Sequence, residues 1–174
     1  MNEFLNKHSS EIHKIIGIYP AGNRRSAVMP LLHLAQREDG YITRQSIEEI
    51  GDLLGITATE VVSIIGFYTL YHDEPGGRYR FQVCTDLPCA LRGADEFLQN
   101  LCVNIGIKVG ETSPDGLFTL EEVTCLAGCH RAPMFQVQGD GEITYHENQT
   151  VETAMALVDK LRSHGGKENR EGDK

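Results

Sequence analysis

Four cysteines stand in two close pairs, Cys84 and Cys89 in C-T-D-L-P-C and Cys125 and Cys129 in C-L-A-G-C, with 35 residues between the pairs. Two short loops that meet in space would supply four thiolates. That is the donor set of a [2Fe-2S] cluster, a [4Fe-4S] cluster or a structural zinc ion. The cysteine pattern therefore predicts one metal site and leaves the metal open.

The gaps inside the pairs bear on that choice. They hold four and three residues, mostly small or apolar, which suits a two-iron core better than the C-x2-C spacing of a zinc ribbon does. Zinc remains the alternative. A disulfide or a catalytic C-x-x-C motif is less favoured, because neither gap is two residues.

Two further residues could be taken for ligands. His130 follows Cys129 and could replace a thiolate as in Rieske centres, but four cysteines are already available and adjacent residues rarely chelate one iron. Cys102 shares an apolar helix face with Phe97, Leu98 and Leu101, so we interpret it as a small core residue rather than a fifth ligand.

Composition restricts the class of protein. The chain has 174 residues, 40% of them hydrophobic, and a formal net charge of -9, which argues against the basic face that nucleic acid needs. No apolar run approaches the ~20 residues that a membrane-crossing helix requires, and the N-terminus lacks a secretory or transit signal. We therefore expect a cytoplasmic chain with no direct membrane insertion and no nucleic-acid partner. In that reducing compartment five cysteines favour thiolate ligands over disulfides.

Residues 1–75 predict a helical bundle. A first helix carries Phe4 to Ile16, and a second runs from Arg24 to Arg37, where Pro30 predicts a kink or a late start. Two more helices follow, the first capped by Thr43 or Ser46 and the second by Thr57 or Thr59. The turn formers Asp73-Glu74-Pro75-Gly76-Gly77 mark the best domain boundary.

Residues 76–164 predict an α/β domain. A strand over 79–83 ends at Cys84, a helix runs from about Ala90 to Val103, and strands follow near 118–123, 134–137 and 143–145. A closing helix runs from about Val151 to Leu161. We interpret this as the β-α-β-β-α order of a thioredoxin-like sandwich, so the fold class is α+β. Residues 165–174 are expected to form a charged, disordered tail.

Both cysteine loops have features that suit an anionic cluster. The first lies on a loop whose far end is expected to be the N-terminus of the next helix, where amide groups and the helix dipole favour negative charge. In the second, Gly128 is expected to give the backbone freedom that lets two sulfurs point the same way. Close approach of that backbone is expected to supply N–H donors to sulfur.

A helix-turn-helix transcription factor is the rival from another class. The segment D-L-L-G-I-T-A-T-E-V-V around Gly55 matches that pattern. Its would-be recognition segment over 59–71 contains no Lys or Arg, however, which is wrong for phosphate contact. We expect this apolar helix in a core or an interface.

Several long motifs resemble one family. They include Y-P-A-G-N-R-R-S-A-V-M-P-L-L, V-C-T-D-L-P-C-A-L-R-G-A and C-L-A-G-C-H-R-A-P-M, and the similarity extends from Tyr19 to Leu161. The chain resembles the thioredoxin-like [2Fe-2S] ferredoxins, specifically those that serve as subunits of NADH-quinone oxidoreductase, respiratory complex I.

The resemblance implies one [2Fe-2S] cluster on Cys84, Cys89, Cys125 and Cys129. It implies an electron-transfer subunit, not catalytic alone, docked on a flavoprotein subunit that binds NADH and FMN, and peripheral at the membrane through the parent complex. This chain has no G-x-G-x-x-G after a strand and no phosphate loop, so FMN and NADH are expected on the partner. Subunits of this type also occur in NAD-linked hydrogenases and formate dehydrogenases, and those settings stay open. A cis peptide before Pro133 would also be common in such a fold.

Overall fold

The computed structural model describes the backbone of residues 3–168 and the side chains of residues 3–163. The chain divides into two compact units, Met1–Pro75 and Gly76–Lys174. The division falls inside the run of turn formers at 73–77. Each unit has a hydrophobic core of its own.

The first unit is helical. Its α-helices are α1 Glu3–Lys7, α2 Ser9–Gly17, α3 Val28–Asp39, α4 Arg44–Leu54 and α5 Ala58–Phe67, and a 3-10 helix at Ala21–Ala27 precedes α3. The predicted first helix is therefore two short helices, separated at His8. The predicted second helix starts at Val28 rather than Arg24, because Pro30 lacks an amide hydrogen and is tolerated only in the first turn.

Local signals set the helix ends. The hydroxyl of Thr43 accepts a hydrogen bond from the amide of Ser46 at 3.1 Å, and Thr57 and Glu60 form a reciprocal capping box at the start of α5. Gly40 and Gly55 end α3 and α4 with positive φ, a backbone region that glycine enters without a Cβ clash. The helices enclose a core that includes Leu31, Leu32, Leu34, Ile42, Ile50 and Val61.

Helices α4 and α5 meet at 116°, an angle close to that of a DNA-binding helix-turn-helix. The surface of α5 does not match that function, because the helix contains no Lys or Arg and exposes Val62 and Phe67. Among the described residues no single helix is long and apolar enough to cross a membrane. The bent pair α4 and α5 meets the length and composition criteria only when the two helices are taken together.

The second unit is a four-stranded sheet with helices. Its elements are β1 Tyr79–Cys84, α6 Leu87–Ala90, α7 Ala94–Ile105, β2 Phe118–Val123, β3 Phe135–Gly139, β4 Glu142–His146 and α8 Val151–Glu168, with a 3-10 helix at Cys129–Arg131. The sequence interpretation of β-α-β-β-α is short by one strand, since three strands separate α7 from α8. The backbone of α8 continues through Glu168, so the tail predicted at 165–174 begins inside this helix. Residues 169–174 lie outside the described residues.

The strand order is β2-β1-β3-β4. Strand β1 pairs in parallel with β2, so that Cys84 lies opposite Val123, and it pairs antiparallel with β3, so that Val83 lies opposite Phe135. One face of the sheet packs Phe81, Phe118 and Phe135 against α7 and α8. The sheet therefore has β1 in its interior, with the strand end that carries Cys84 flanked on both sides.

Apolar and polar residues alternate along β1, but the polar side of the strand does not face solvent. All six residues of this strand are buried. On its polar side Gln82 donates to Glu121 at 2.8 Å and Arg80 donates to Glu121 at 2.6 Å, while Gln136 donates to Gln82. Polar groups can be buried here because they bond to one another.

The β3–β4 hairpin turns at Asp140 and Gly141, both with positive φ, as tight hairpin turns require. At the end of β4 the ring of His146 stacks on Phe135, with 5.0 Å between ring centroids. Burial lowers the pKa of His146 from its ordinary value, because the charged imidazolium loses solvation in this position. The neutral ring is therefore the form that the fold favours.

This burial predicts a pH dependence of stability. Because the pKa of His146 is lower in the folded chain than in the unfolded chain, the unfolded chain binds the extra proton first as pH falls. The free energy of unfolding should decrease below about pH 6.5, the ordinary histidine value, and His146→Gln should remove part of that decrease. The measurement is urea denaturation with reductant between pH 5 and 8. His33→Gln, at an exposed position, is the control and should keep the wild-type slope.

Candidate metal centre

The first cysteine pair is buried. Cys84 is the last residue of β1 and is 1% exposed, and Cys89 lies in the one-turn helix α6 and is 0% exposed. Their Sγ atoms are 3.3 Å apart. The structure thus places two thiols side by side at the end of an interior strand.

The expected helix N-terminus is not where the sequence put it. The long helix α7 begins at Ala94, five residues after Cys89, and Cys89 itself lies in the single turn of α6. Asp86 caps α6 by accepting the amide of Leu87 at 3.0 Å, so that carboxylate already occupies an amide of the first turn. The prediction that the long helix begins just after Cys89 was therefore wrong, because the chain makes a separate turn before that helix starts.

The second pair lies in the loop from β2 to β3. Cys125 is exposed, and Cys129 is half-buried at the start of a 3-10 helix. The Sγ of Cys84 contacts the carbonyl oxygen of Thr124 at 3.5 Å, next to Cys125. The amide of Ala127 donates to the Sγ of Cys125 at 3.4 Å. This last bond is an example of the N–H donation to sulfur that the sequence led us to expect.

The backbone of this loop differs from the prediction at Gly128. Its φ of -112° is open to any residue, and the positive φ belongs to Ala127, at 58°. The constraint is space instead, because a Cβ at position 128 would overlap the Sδ of Met134, and that side chain would have to shift. Met134 is 2% exposed and has little room to move.

Backbone hydrogen bonds hold the loop on the end of the sheet. The amide of Cys84 donates to the carbonyl of Met134 at 3.2 Å. On the other side the amides of Asn148 and Gln149 donate to the carbonyls of Arg131 and Pro133 at 2.7 and 2.8 Å. The bond between Ala132 and Pro133 is cis. The 125–134 loop is therefore connected to both β1 and the segment before α8.

The other three thiols of the two pairs act electrostatically on Cys89. Burial, the hydrogen bond to Cys84 and the charges of Cys84, Cys129 and Cys125, in that order, raise the pKa of Cys89 to about 12. All four thiols are thus close enough to affect the same titration. Within the described residues, however, no three His, Cys, Asp or Glu side chains are grouped so as to hold a metal ion. The structure brings Cys84 and Cys89 together and places Cys125 and Cys129 beside them in the more exposed loop.

Apolar residues surround the buried pair. Ala94, Ala132 and Met134 are buried with the two thiols, and Leu126 packs against them. His130 is exposed, and Arg131 pairs with Glu147 at 3.3 Å. Cys102, on α7, packs against the hydrophobic core between the sheet and its helices, apart from this group. The sequence interpretation did not single out Met134 or Arg92 as part of the site, although both stand inside the quoted cysteine motifs.

The chain is similar to known proteins over most of its length. The family model for the thioredoxin-like [2Fe-2S] ferredoxins matches residues 12–162. NADH-quinone oxidoreductase subunit 2 of Thermus thermophilus is 41% identical over 160 residues, covering 92% of this chain and 87% of that protein. Another NADH-quinone oxidoreductase subunit, from Mycobacterium tuberculosis, is 43% identical over 150 residues, covering 86% of this chain and 57% of that protein.

Among solved structures, the NAD+-reducing [NiFe]-hydrogenase in its air-oxidised state aligns with a TM-score of 0.65 at 18% identity, over 79% of this chain and 23% of that chain. That likeness concerns the fold. The family match covers most of the chain and includes both cysteine pairs, and the family is defined by its [2Fe-2S] cofactor. The chain belongs to the thioredoxin-like [2Fe-2S] ferredoxin family.

Proposed function

We propose that Cys84, Cys89, Cys125 and Cys129 hold one [2Fe-2S] cluster and that the chain is the electron-transfer subunit of an NADH:quinone oxidoreductase. The observation that carries the proposal is the meeting of two buried thiols, 3.3 Å apart, with a loop that holds two more. Such a cluster supplies a one-electron carrier between donors and acceptors on other chains. The protein residues bind it, shield it from water on one side and leave the other side accessible.

The surroundings of the thiols and the family favour iron–sulfur over zinc. Four thiols with no added histidine would suit either, but the buried apolar surroundings and the family's cofactor support the two-iron cluster. A zinc-stabilised interaction module remains the rival. Its chemistry differs in a way that can be measured, because zinc is not redox-active.

The partner that fits best is a flavoprotein subunit carrying FMN and an NADH site. The relatives are named as subunits, which indicates a larger assembly. The helix turn that carries Cys89 exposes two leucines four residues apart, Leu87 at 69% and Leu91 at 81%. Apolar side chains this exposed beside a buried thiol pair suit a protein contact at the redox site.

The parent complex sets the location and the final acceptor. Docking within complex I would make the chain cytoplasmic and peripheral at the membrane without inserting into it. A second candidate is the same role in an NAD-linked hydrogenase or a formate dehydrogenase. The observation behind the hydrogenase candidate is the likeness of this fold to that of the NAD+-reducing [NiFe]-hydrogenase.

One prediction concerns the ligands. Anaerobically purified protein reduced with dithionite should give an S = 1/2 EPR signal with roughly two irons per chain. Cys125→Ala should abolish or alter that signal, because it removes one thiolate. Cys102→Ala is the matched control and should keep both iron and signal, since Cys102 is partly buried against the sheet core and lies apart from the other four cysteines. One zinc per chain with a silent spectrum would contradict the proposal.

Another prediction concerns the metal-free chain. A thiol with a pKa of about 12 is ionised at only about one part in 10⁴ at pH 8, so Cys89 should react with iodoacetamide at least about tenfold more slowly than exposed Cys125. Mass spectrometry of timed digests measures both rates. Raising the pH should speed the reaction at Cys89. Equal rates at pH 8 would show that Cys89 is not buried beside Cys84.

A further prediction concerns docking. Leu91→Glu should weaken binding to the flavoprotein subunit by about tenfold or more, because a carboxylate would enter an apolar contact. Surface plasmon resonance with the purified partner measures the affinity. Val103→Glu, an equally exposed apolar position on α7, is the control and should bind normally. Equal affinity of the Leu91 variant and the wild type would place the contact elsewhere.

A further inference from the structure

Arg92 connects the two cysteine loops. It lies between α6 and α7, and its amide donates to the carbonyl of Cys89 at 3.0 Å, which places it on the same turn as that cysteine. Its side chain reaches the other loop, where Nε donates to the carbonyl oxygen of Ala132 at 3.2 Å. Ala132 is three residues after Cys129.

This contact has no substitute in the described part of the chain. Other hydrogen bonds join the 125–134 loop to β1 and to residues 148 and 149, but the bond from Arg92 is the one that joins it to the turn of Cys89. Ala132 is 3% exposed, so its carbonyl would be left buried without this donor. A buried carbonyl without a partner is costly and would drive the loop to rearrange.

We infer that Arg92 is a positioning residue, which fixes the spacing between Cys89 and Cys129 and so sets how firmly the cluster is held. The inference rests on the proposed ligation by the four cysteines. Two of the ligands lie on rigid, buried backbone and two on a more exposed loop. A bond across the gap restricts the exposed loop to the geometry that closes the site, as supporting contacts do at other metal centres.

Side-chain chemistry allows a sharp test, because the donor is Nε rather than a terminal nitrogen. In Arg92→Gln the amide nitrogen stands the same number of bonds from Cα as Nε does, so the donor remains and the charge is lost. In Arg92→Lys a methylene occupies that place, so the charge remains and the donor is displaced. Arg92→Met removes both. Arg131→Met is the control, because it removes a nearby exposed charge and leaves the contact to Ala132 intact.

The readouts are the rate of iron loss to a chelator, followed by visible absorption, and the shape of the EPR signal. We expect Arg92→Met and Arg92→Lys to lose iron about fivefold faster than the wild type, the factor that one net hydrogen bond corresponds to. Arg92→Gln and Arg131→Met should stay near the wild-type rate, and circular dichroism should show an unchanged fold for all four.

Each alternative result has a distinct meaning. Rapid loss from Arg92→Gln together with rescue by Arg92→Lys would overturn the positioning role and assign the effect to charge. Unchanged rates in Arg92→Met would overturn it as well. A wild-type chain without iron or an EPR signal would instead overturn the proposed function, and the inference with it.

Discussion

The candidate site depends on the pairing of β1 with one strand on each side. Because β2 is parallel to β1, its last residue lies beside Cys84, and because β3 is antiparallel, its first residue lies there too. The loop from β2 to β3 must therefore cross the end of β1. That loop carries Cys125 and Cys129, so sheet topology brings together two cysteine pairs that are 35 residues apart in sequence.

The resulting site is asymmetric. Cys84 and Cys89 belong to the buried part of the domain, while Cys125 is exposed and Cys129 half-buried. An electron carrier needs both properties, since a buried side protects the cofactor from water and an accessible side lets a partner approach. The leucines on either side of Cys89, Leu87 and Leu91, are exposed as well.

The electrostatic properties of the site follow from the same burial. A thiol with a pKa of about 12 is protonated at neutral pH, so Cys89 carries little charge until a metal replaces its proton. Polar groups on the polar side of β1 are buried as well, and there Arg80 and Gln82 both donate hydrogen bonds to Glu121. The sheet thus accommodates polar groups on one face and thiols at one end without leaving an unpaired charge in its interior.

Much of this could be predicted from the sequence, because local signals are strong where they act alone. The cysteine pairs, the strand over 118–123 and the capping threonines at 43 and 57 can each be identified from neighbouring residues. The sequence misplaced what depends on distant residues. It placed the start of the long helix just after Cys89. It attributed backbone freedom to Gly128, where the constraint is the side chain of Met134. It did not predict the contact from Arg92 to Ala132. Residue types and spacing thus determined the candidate ligands and the family resemblance. Only the tertiary structure, set by packing between residues far apart in sequence, decided which of these cysteines are buried and which contacts join the two loops.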